Sequence, residues 1–386
     1  MKCEEINKRR QKMIVLDVRL DNFYAFKNFH MNLTYPKKIV DSSIKNEHLP
    51  ARPNFRYKKV NIFLGANATG KTTFGKILMK IFNFIEKKNF EIITTAIHDT
   101  RKKASFVLDL ASENKDFYRI KCEIEPCEGD KYTFNDIKVQ ILTEKIGVRD
   151  SYESCVKRVT DKEFIPAENY VEELEKVGEL AWLFDYPDVD GIKIDLPNKD
   201  AQFCIILENI LKSLDPSIKN VRILKPVANS YVLTIHNRPL VLQSNVEIKS
   251  DVLSSGTKSG IAIARILYSL MRGLNSFYYC DEKFSYIQSD VEKAILSVMI
   301  DFVGPCDQLF FTTHNTDILD MNLPKHAFTF LRKDANNEDC PITCIEASSI
   351  LKRSTDSLRN AVENDLFSTA PAVEMIYSIA DLAGKE

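Results

Sequence analysis

Residues 13–33 read MIVLDVRLDNFYAFKNFHMNL, with apolar and polar positions alternating and β-branched and aromatic residues enriched. This pattern predicts two strands with a bend at Asp21-Asn22. A polar stretch over 35–59 leads to the short apolar run Val60–Leu64, a buried strand. The segment KTTFGKILMKIFNFIEKK then carries apolar residues at helical spacing and ends in lysines that suit the negative end of a helix dipole. Three further alternating segments, KASFVLDLAS, FYRIKCEIE and FNDIKVQILTEKI, predict antiparallel strands that flank the first strand–helix unit.

From 151 to about 218 the pattern turns helical, as in YVEELEKVGELAWLF and AQFCIILENILKSLD, before strands resume at NVRILKP, SYVLTIHN and PLVLQ. The remainder alternates helix TKSGIAIARILYSLMRGL, strand SFYYCD, helix SDVEKAILSVMIDFV, strand QLFFTTH and helix TDILDM. Such alternation predicts a parallel α/β core. The expected organisation is an α/β head in three parts: 1–150 with the antiparallel strands, a helical insertion over 151–225, and 226–386 with the alternating core.

Composition narrows the function classes. Lys and Arg number 53 against 54 Asp and Glu, a net charge of −1, so no global field recruits nucleic acid or an anionic membrane. The nine cysteines form no CxxC pair, which removes the zinc and thiol-redox readings and fits a reducing cytoplasm. No apolar run reaches the length of a membrane span, so the expectation is a soluble, cytoplasmic protein.

The chemistry concentrates at three places. Gly65-Ala66-Asn67-Ala68-Thr69-Gly70-Lys71-Thr72 satisfies GxxxxGK[ST] between a strand and a helix. There the backbone N–H groups of Gly65, Asn67, Ala68, Thr69, Gly70 and the helix start through Thr73 are expected to cradle phosphates. Lys71 reaches the β/γ oxygens and Thr72 ligates Mg²⁺. The apolar strand Phe277-Tyr278-Tyr279-Cys280-Asp281-Glu282 ends in paired carboxylates. Asp281 is expected to orient the Mg²⁺ shell and Glu282 to polarise the attacking water. Finally, Leu253-Ser254-Ser255-Gly256-Thr257 opens a helix with hydroxyls and free N–H groups, a second anion-binding start.

In this order, with His314 following a later strand, the motifs resemble an ABC-type ATPase head of the SMC/RecF/OLD-like branch. More narrowly, LDNFYAFKNFHMNL, GANATGKTT, LKSLDPSIKNVRI, LSSGTKSG, CDEKFSYIQSD and FTTHNTDILD resemble the stand-alone ABC-type AAA ATPases of bacterial anti-phage defence loci. The resemblance implies ATP and Mg²⁺ as cofactors and a catalytic set of Lys71, Glu282 and the switch histidine His314. It also implies a homodimer of heads or a higher oligomer, with Ser254, Ser255 and Gly256 meeting nucleotide bound by the partner. It further implies a regulator of a separate effector, a nuclease or toxin.

Two departures stand out: Gln288 occupies the place of a usual aspartate, and Gln140 is the sole, weak candidate for the glutamine that links the lobes. The stretch between residues 73 and 253 is too short for long coiled-coil arms and carries no CxxC hook, and the tail shows no nuclease constellation. The basic clusters Lys8-Arg9-Arg10, Arg56-Tyr57-Lys58-Lys59 and Arg101-Lys102-Lys103 leave DNA as a candidate partner. The rival readings are a RecF-like DNA repair ATPase and a nucleotide-gated scaffold with little turnover.

Overall fold

The computed structural model describes residues 11–40, 42–127, 129, 131–160, 162–186, 195–246, 253–334, 336–353, 355–369 and 374–379. At its centre lies a six-stranded sheet in the order Ile342–Glu346, Phe328–Lys333, Val60–Leu64, Gln308–Thr312, Phe277–Asp281, Trp182–Asp185. All neighbours are parallel except the first pair. The strand before the phosphate-loop motif, the strand ending in Asp281 and the strand leading to His314 are therefore adjacent or nearly so. Their C-terminal ends open on one edge, where open α/β sheets place their ligands.

The helix Lys71–Lys87 covers one face of this sheet. Its buried Phe74, Ile77, Leu78, Ile81 and Phe84 are sandwiched between Phe63, Tyr279 and Phe310 of the central sheet and the five-stranded antiparallel sheet. That second sheet runs Phe29–Asn32, Met13–Asp21, Ala104–Ser112, Asp116–Ile124, Ile137–Lys145. Gly75 permits the close approach, because a Cβ there would come within 2.4 Å of the Tyr279 ring. On the other face, helices Ser255–Arg272 and Ser289–Phe302 bury Ile263, Leu267, Leu296 and Met299 against Ile62, Tyr278 and Phe311.

Gln308 joins the two sheets. Its Oε1 accepts from Val15 N at 2.7 Å and its Nε2 donates to Val15 O at 2.9 Å, at a register shift in the Met13–Asp21 strand. A buried amide that satisfies both backbone groups of the residue flanking a bulge fixes where one sheet crosses the other.

The α/β class and the flanking antiparallel sheet are as the pattern predicts. The helical reading of YVEELEKVGELAWLF is corrected: helix covers only Tyr170–Leu174, and Trp182–Asp185 is the edge strand of the central sheet. Gly178, at φ 77°, lies between the two, and the exposed backbone edge of Phe277–Cys280 supplies the ladder that local periodicity cannot anticipate. Tyr170, Leu174 and Val177 are buried in the core, so this stretch is packing rather than a free surface. Of the apolar tail, Ile376, Tyr377 and Ile379 are exposed, and its neighbours 370–373 and 380–386 lie outside the described residues.

Among the described residues no helix is long and apolar enough to cross a membrane. The basic cluster at 8–10 also falls outside them. In the other two clusters most cations already face a partner: Lys58 pairs with Glu346, Lys59 donates to Lys45 O and Val303 O, Arg101 pairs with Asp99, and Lys103 with Glu123 and Glu125.

Candidate nucleotide-binding site

The loop 65–70 leaves the Val60–Leu64 strand and turns into the helix through positive φ at Gly65 (147°), Ala68 (62°) and Gly70 (103°). Gly65 is required twice over, since a Cβ would also lie 2.7 Å from Leu331 O. Gly70 caps the helix without a side chain, and the first turn holds no acidic residue. The N–H groups of that turn and the positive end of a 17-residue helix therefore face the loop's concavity, an arrangement that favours an anion. Thr69 Oγ1 closes the loop by donating to Ala66 O at 2.9 Å.

Lys71 lies folded over this concavity. Its ammonium donates to Gly65 O at 2.9 Å and Ala66 O at 3.2 Å and stands 3.9 Å from Glu282 Oε1. Burial lowers its pKa, while the charges of Glu282 and Asp281 hold it up.

The adjacent strand ends bring the carboxylates in. Asp281, fully buried, accepts from Thr72 Oγ1 at 2.6 Å and from Thr312 Oγ1 at 2.8 Å. Thr312 Oγ1 in turn accepts from Glu282 N at 2.9 Å, which sets the turn after the strand. Glu282 has φ 45°, an uncommon conformation for a residue with a side chain. Its Oε1 meets His314 Nε2 at 2.7 Å. Burial pushes the Asp281 carboxyl up, the two hydroxyls pull it down, and the Glu282 charge pushes it up again. Thr72, Asp281, Thr312, Glu282 and His314 thus form one continuous hydrogen-bonded chain beside the loop.

A second network holds the histidine loop. Glu292, buried in the helix Ser289–Phe302, accepts from Thr313 Oγ1 at 2.8 Å and Asn315 Nδ2 at 2.6 Å, and Ser289 Oγ donates to Asp317 at 2.6 Å. The residues on either side of His314 are clamped, while the imidazole itself is 40% exposed. A cavity of about 350 Å³ opens here, lined by Gly65, Ala66, Asn67, His314, Phe330 and Val362 among others.

The structure therefore brings together the loop 65–70, Lys71, Thr72, Thr73, Asp281, Glu282 and His314. It does not bring Ser254, Ser255 and Gly256 to them: among the described residues no hydrogen bond joins 253–257 to 65–73. Ser254 caps the helix Ser255–Arg272, accepting from Thr257 N at 3.1 Å. Ser254 and Ser255 are exposed, and Gly256 lies against Tyr286 O, whose own side chain is 70% exposed. Gln140 is not at the site; it sits in the flanking sheet, donating to Glu163 O. Gln288 makes no side-chain cap for its helix, and Asp290 faces solvent beside Lys293.

Sequence reasoning missed Thr312 and Tyr279. The first was visible as the hydroxyl two positions before His314 in FTTH. The second, whose Oη donates to Lys71 O at 2.6 Å, had no signal beyond an aromatic in an apolar strand.

The Thr72 hydroxyl and the buried Asp281 carboxylate, which no cation directly bonds among the described residues, are hard oxygen donors that suit Mg²⁺ rather than a softer metal. Thr72 and Asp281 are the residues that fit it.

No family model and no curated protein matches the chain. Solved structures do align with it. An SMC head bound to the C-winged helix domain of ScpA is 11% identical, covers 87% of this chain and 99% of its own, and gives a TM-score of 0.48. The Pyrococcus furiosus Smc head with an extended coiled coil, bound to the C-terminal domain of ScpA, is 10% identical over 88% and 98%, with a TM-score of 0.47. The recombination mediator protein RecF-ATPrS is 8% identical over 88% and 99%, with a TM-score of 0.42. These are distant likenesses of overall fold.

Proposed function

We propose that this chain is an ABC-type ATPase that binds ATP at the 65–73 loop and hydrolyses it between two heads. The observation that carries the reading is the chain Thr72–Asp281–Thr312–Glu282–His314, which sets a buried carboxylate, a strained glutamate and an exposed imidazole beside a phosphate-type loop. Lys71 exchanges its bonds to Gly65 O and Ala66 O for β/γ-phosphate oxygens. Glu282 orients the attacking water and takes its proton, and His314 holds the Glu282 carboxylate until the γ-phosphate arrives. Bound Mg²⁺ supplies the positive charge that neutralises the phosphate oxygens. Glu282→Gln tests the assignment: nucleotide affinity should persist while turnover falls by roughly 10²–10⁴-fold. Undiminished turnover would remove Glu282 from the mechanism.

The signature residues complete the site from a second copy. Support comes from the exposure of Ser254 and Ser255 beside the exposed Tyr286 ring, a face that makes no hydrogen bond to its own loop among the described residues. Mixing Lys71→Ala with Ser254→Arg protomers should restore about one competent site in each heterodimer, roughly half the complement of a normal dimer, if the two sites act independently. No recovery would place both residues in one chain's site or couple the two sites obligatorily.

The output we assign is regulation of a separate effector in anti-phage defence, supported by the motif resemblance and by the engagement of most described basic-cluster residues in internal contacts. Capture of a neighbouring gene product by Glu282→Gln, with Lys71→Ala abolishing protection, is the expected result. Salt-sensitive DNA stimulation of hydrolysis would instead favour a repair ATPase, and nucleotide binding with no multiple-turnover phosphate release would favour a scaffold.

A further inference from the structure

One polar side chain beside the cation-binding carboxylate has no part in the mechanism above. The edge strand Trp182–Asp185 runs parallel to Phe277–Asp281, with Phe184 opposite Tyr279 and Asp185 opposite Cys280. One step further along that register sets Tyr186 beside Asp281. Alternation along the strand sends Trp182, Phe184 and Tyr186 to the face that carries Phe277, Tyr279 and Asp281. The rings agree: Tyr186 stacks on Phe184 at 6.4 Å and 11°, and lies 6.4 Å from Tyr279. The strand end is anchored from its other face, where Asp185 pairs with Lys283 at 2.5 Å and with Arg265.

The Tyr186 hydroxyl is shielded from solvent and has no hydrogen-bond partner among the described residues. Burial raises its pKa and the Asp281 charge raises it further, so the group is a neutral phenol. Packing alone gives no reason for that oxygen, since phenylalanine would make the same ring contacts without burying an unpaired polar atom.

We propose that Tyr186 is a positioning residue whose hydroxyl accepts a hydrogen bond from a water of the Mg²⁺–nucleotide complex held at Thr72 and Asp281. The inference rests on the ATPase reading. Its position at the end of the strand beside Asp281 makes Tyr186, rather than Gln140, the side chain through which the edge strand responds to the loaded site.

Tyr186→Phe tests it, read by titrating a fluorescent ATP analogue with and without Mg²⁺ and by steady-state hydrolysis. Affinity without Mg²⁺ should be unchanged. The Mg²⁺ concentration for half-maximal binding should rise roughly 3- to 10-fold, and kcat should fall by about the same factor with KM within about twofold, as loss of one hydrogen bond predicts. Metal-free thermal stability should be equal or higher, because an unpaired buried hydroxyl is gone. A wild-type Mg²⁺ titration together with a wild-type kcat in Tyr186→Phe would overturn the proposal while leaving the ATPase standing. Wild-type protein that shows no Mg²⁺-dependent nucleotide binding would overturn both.

Discussion

Asp281 in the central sheet and Asp109 in the flanking sheet are both fully buried, yet their surroundings differ. Asp109 is held by a fork: Arg119 Nε and Nη2 donate at 2.8 and 2.7 Å, and Tyr152 Oη adds a third bond at 2.8 Å. Burial raises the Asp109 carboxyl, as it raises Asp281, while Arg119 and Tyr152 pull it down. Burial also works against Arg119, but Asp109 outweighs it and holds the guanidinium above its ordinary value. Charge is matched with charge, and the pair is complete. Among the described residues Asp281 receives two hydroxyls and no cation, while the nearby ammonium of Lys71 bonds carbonyls. A buried carboxylate that no cation bonds among the described residues is costly to fold, which supports the proposed Mg²⁺ site at Asp281.

The comparison can be broken most directly at Asp281. Asp281→Asn should lower ATP hydrolysis by about 10³-fold and abolish the Mg²⁺-dependent gain in nucleotide affinity, with metal-free stability unchanged or raised. Wild-type Mg²⁺ dependence in that variant would put Asp281 in the same structural class as Asp109. The mirror experiment is Asp109→Asn, which strands Arg119 in the core. It should cost about 3–5 kcal/mol by denaturant titration and leave the affinity of the folded molecules for nucleotide intact. Tyr152→Phe removes one bond to an ionised acceptor from the same cluster, and a loss of roughly 1.5–3 kcal/mol is expected.

The smallest effect sharpens the comparison through pH. Because the folded Asp281 carboxyl is raised, the native state retains a proton that the unfolded chain releases near pH 4. The associated stability is complete below that pH and is lost as pH rises through the folded value, with a slope of up to about 1.4 kcal/mol per unit. In metal-free buffer the stability of Asp281→Asn relative to wild type should therefore grow with pH over this window. Parallel curves would mean that the carboxyl is not destabilised by burial.

Much of this was legible in the chain. The run Val60–Leu64, the glycines at 65 and 70 and the Lys-Thr-Thr that follows specify a strand, a tight left-handed loop and a helix start, because only local backbone chemistry is involved. Tyr279-Cys280-Asp281-Glu282 and Phe311-Thr312-Thr313-His314 announce their carboxylates and imidazole at strand ends for the same reason. The stretch at Ser254 was equally readable as a capped helix start. Trp182–Asp185 was misread as helix since its apolar residues satisfy either period, and Gln140 was considered for the site on residue type alone.

By itself, then, the sequence determined the local turns, the amphipathic helix Lys71–Lys87 and the kinds of groups available for phosphate chemistry. Only the tertiary structure decided that Asp281 would meet the hydroxyls of Thr72 and Thr312, while Asp109 would meet the Arg119 guanidinium. It also decided that an edge strand would carry Tyr186 to the end of the Asp281 strand. Strand order and register place residues far apart in the chain side by side, and no local periodicity encodes which neighbour a buried charge will find.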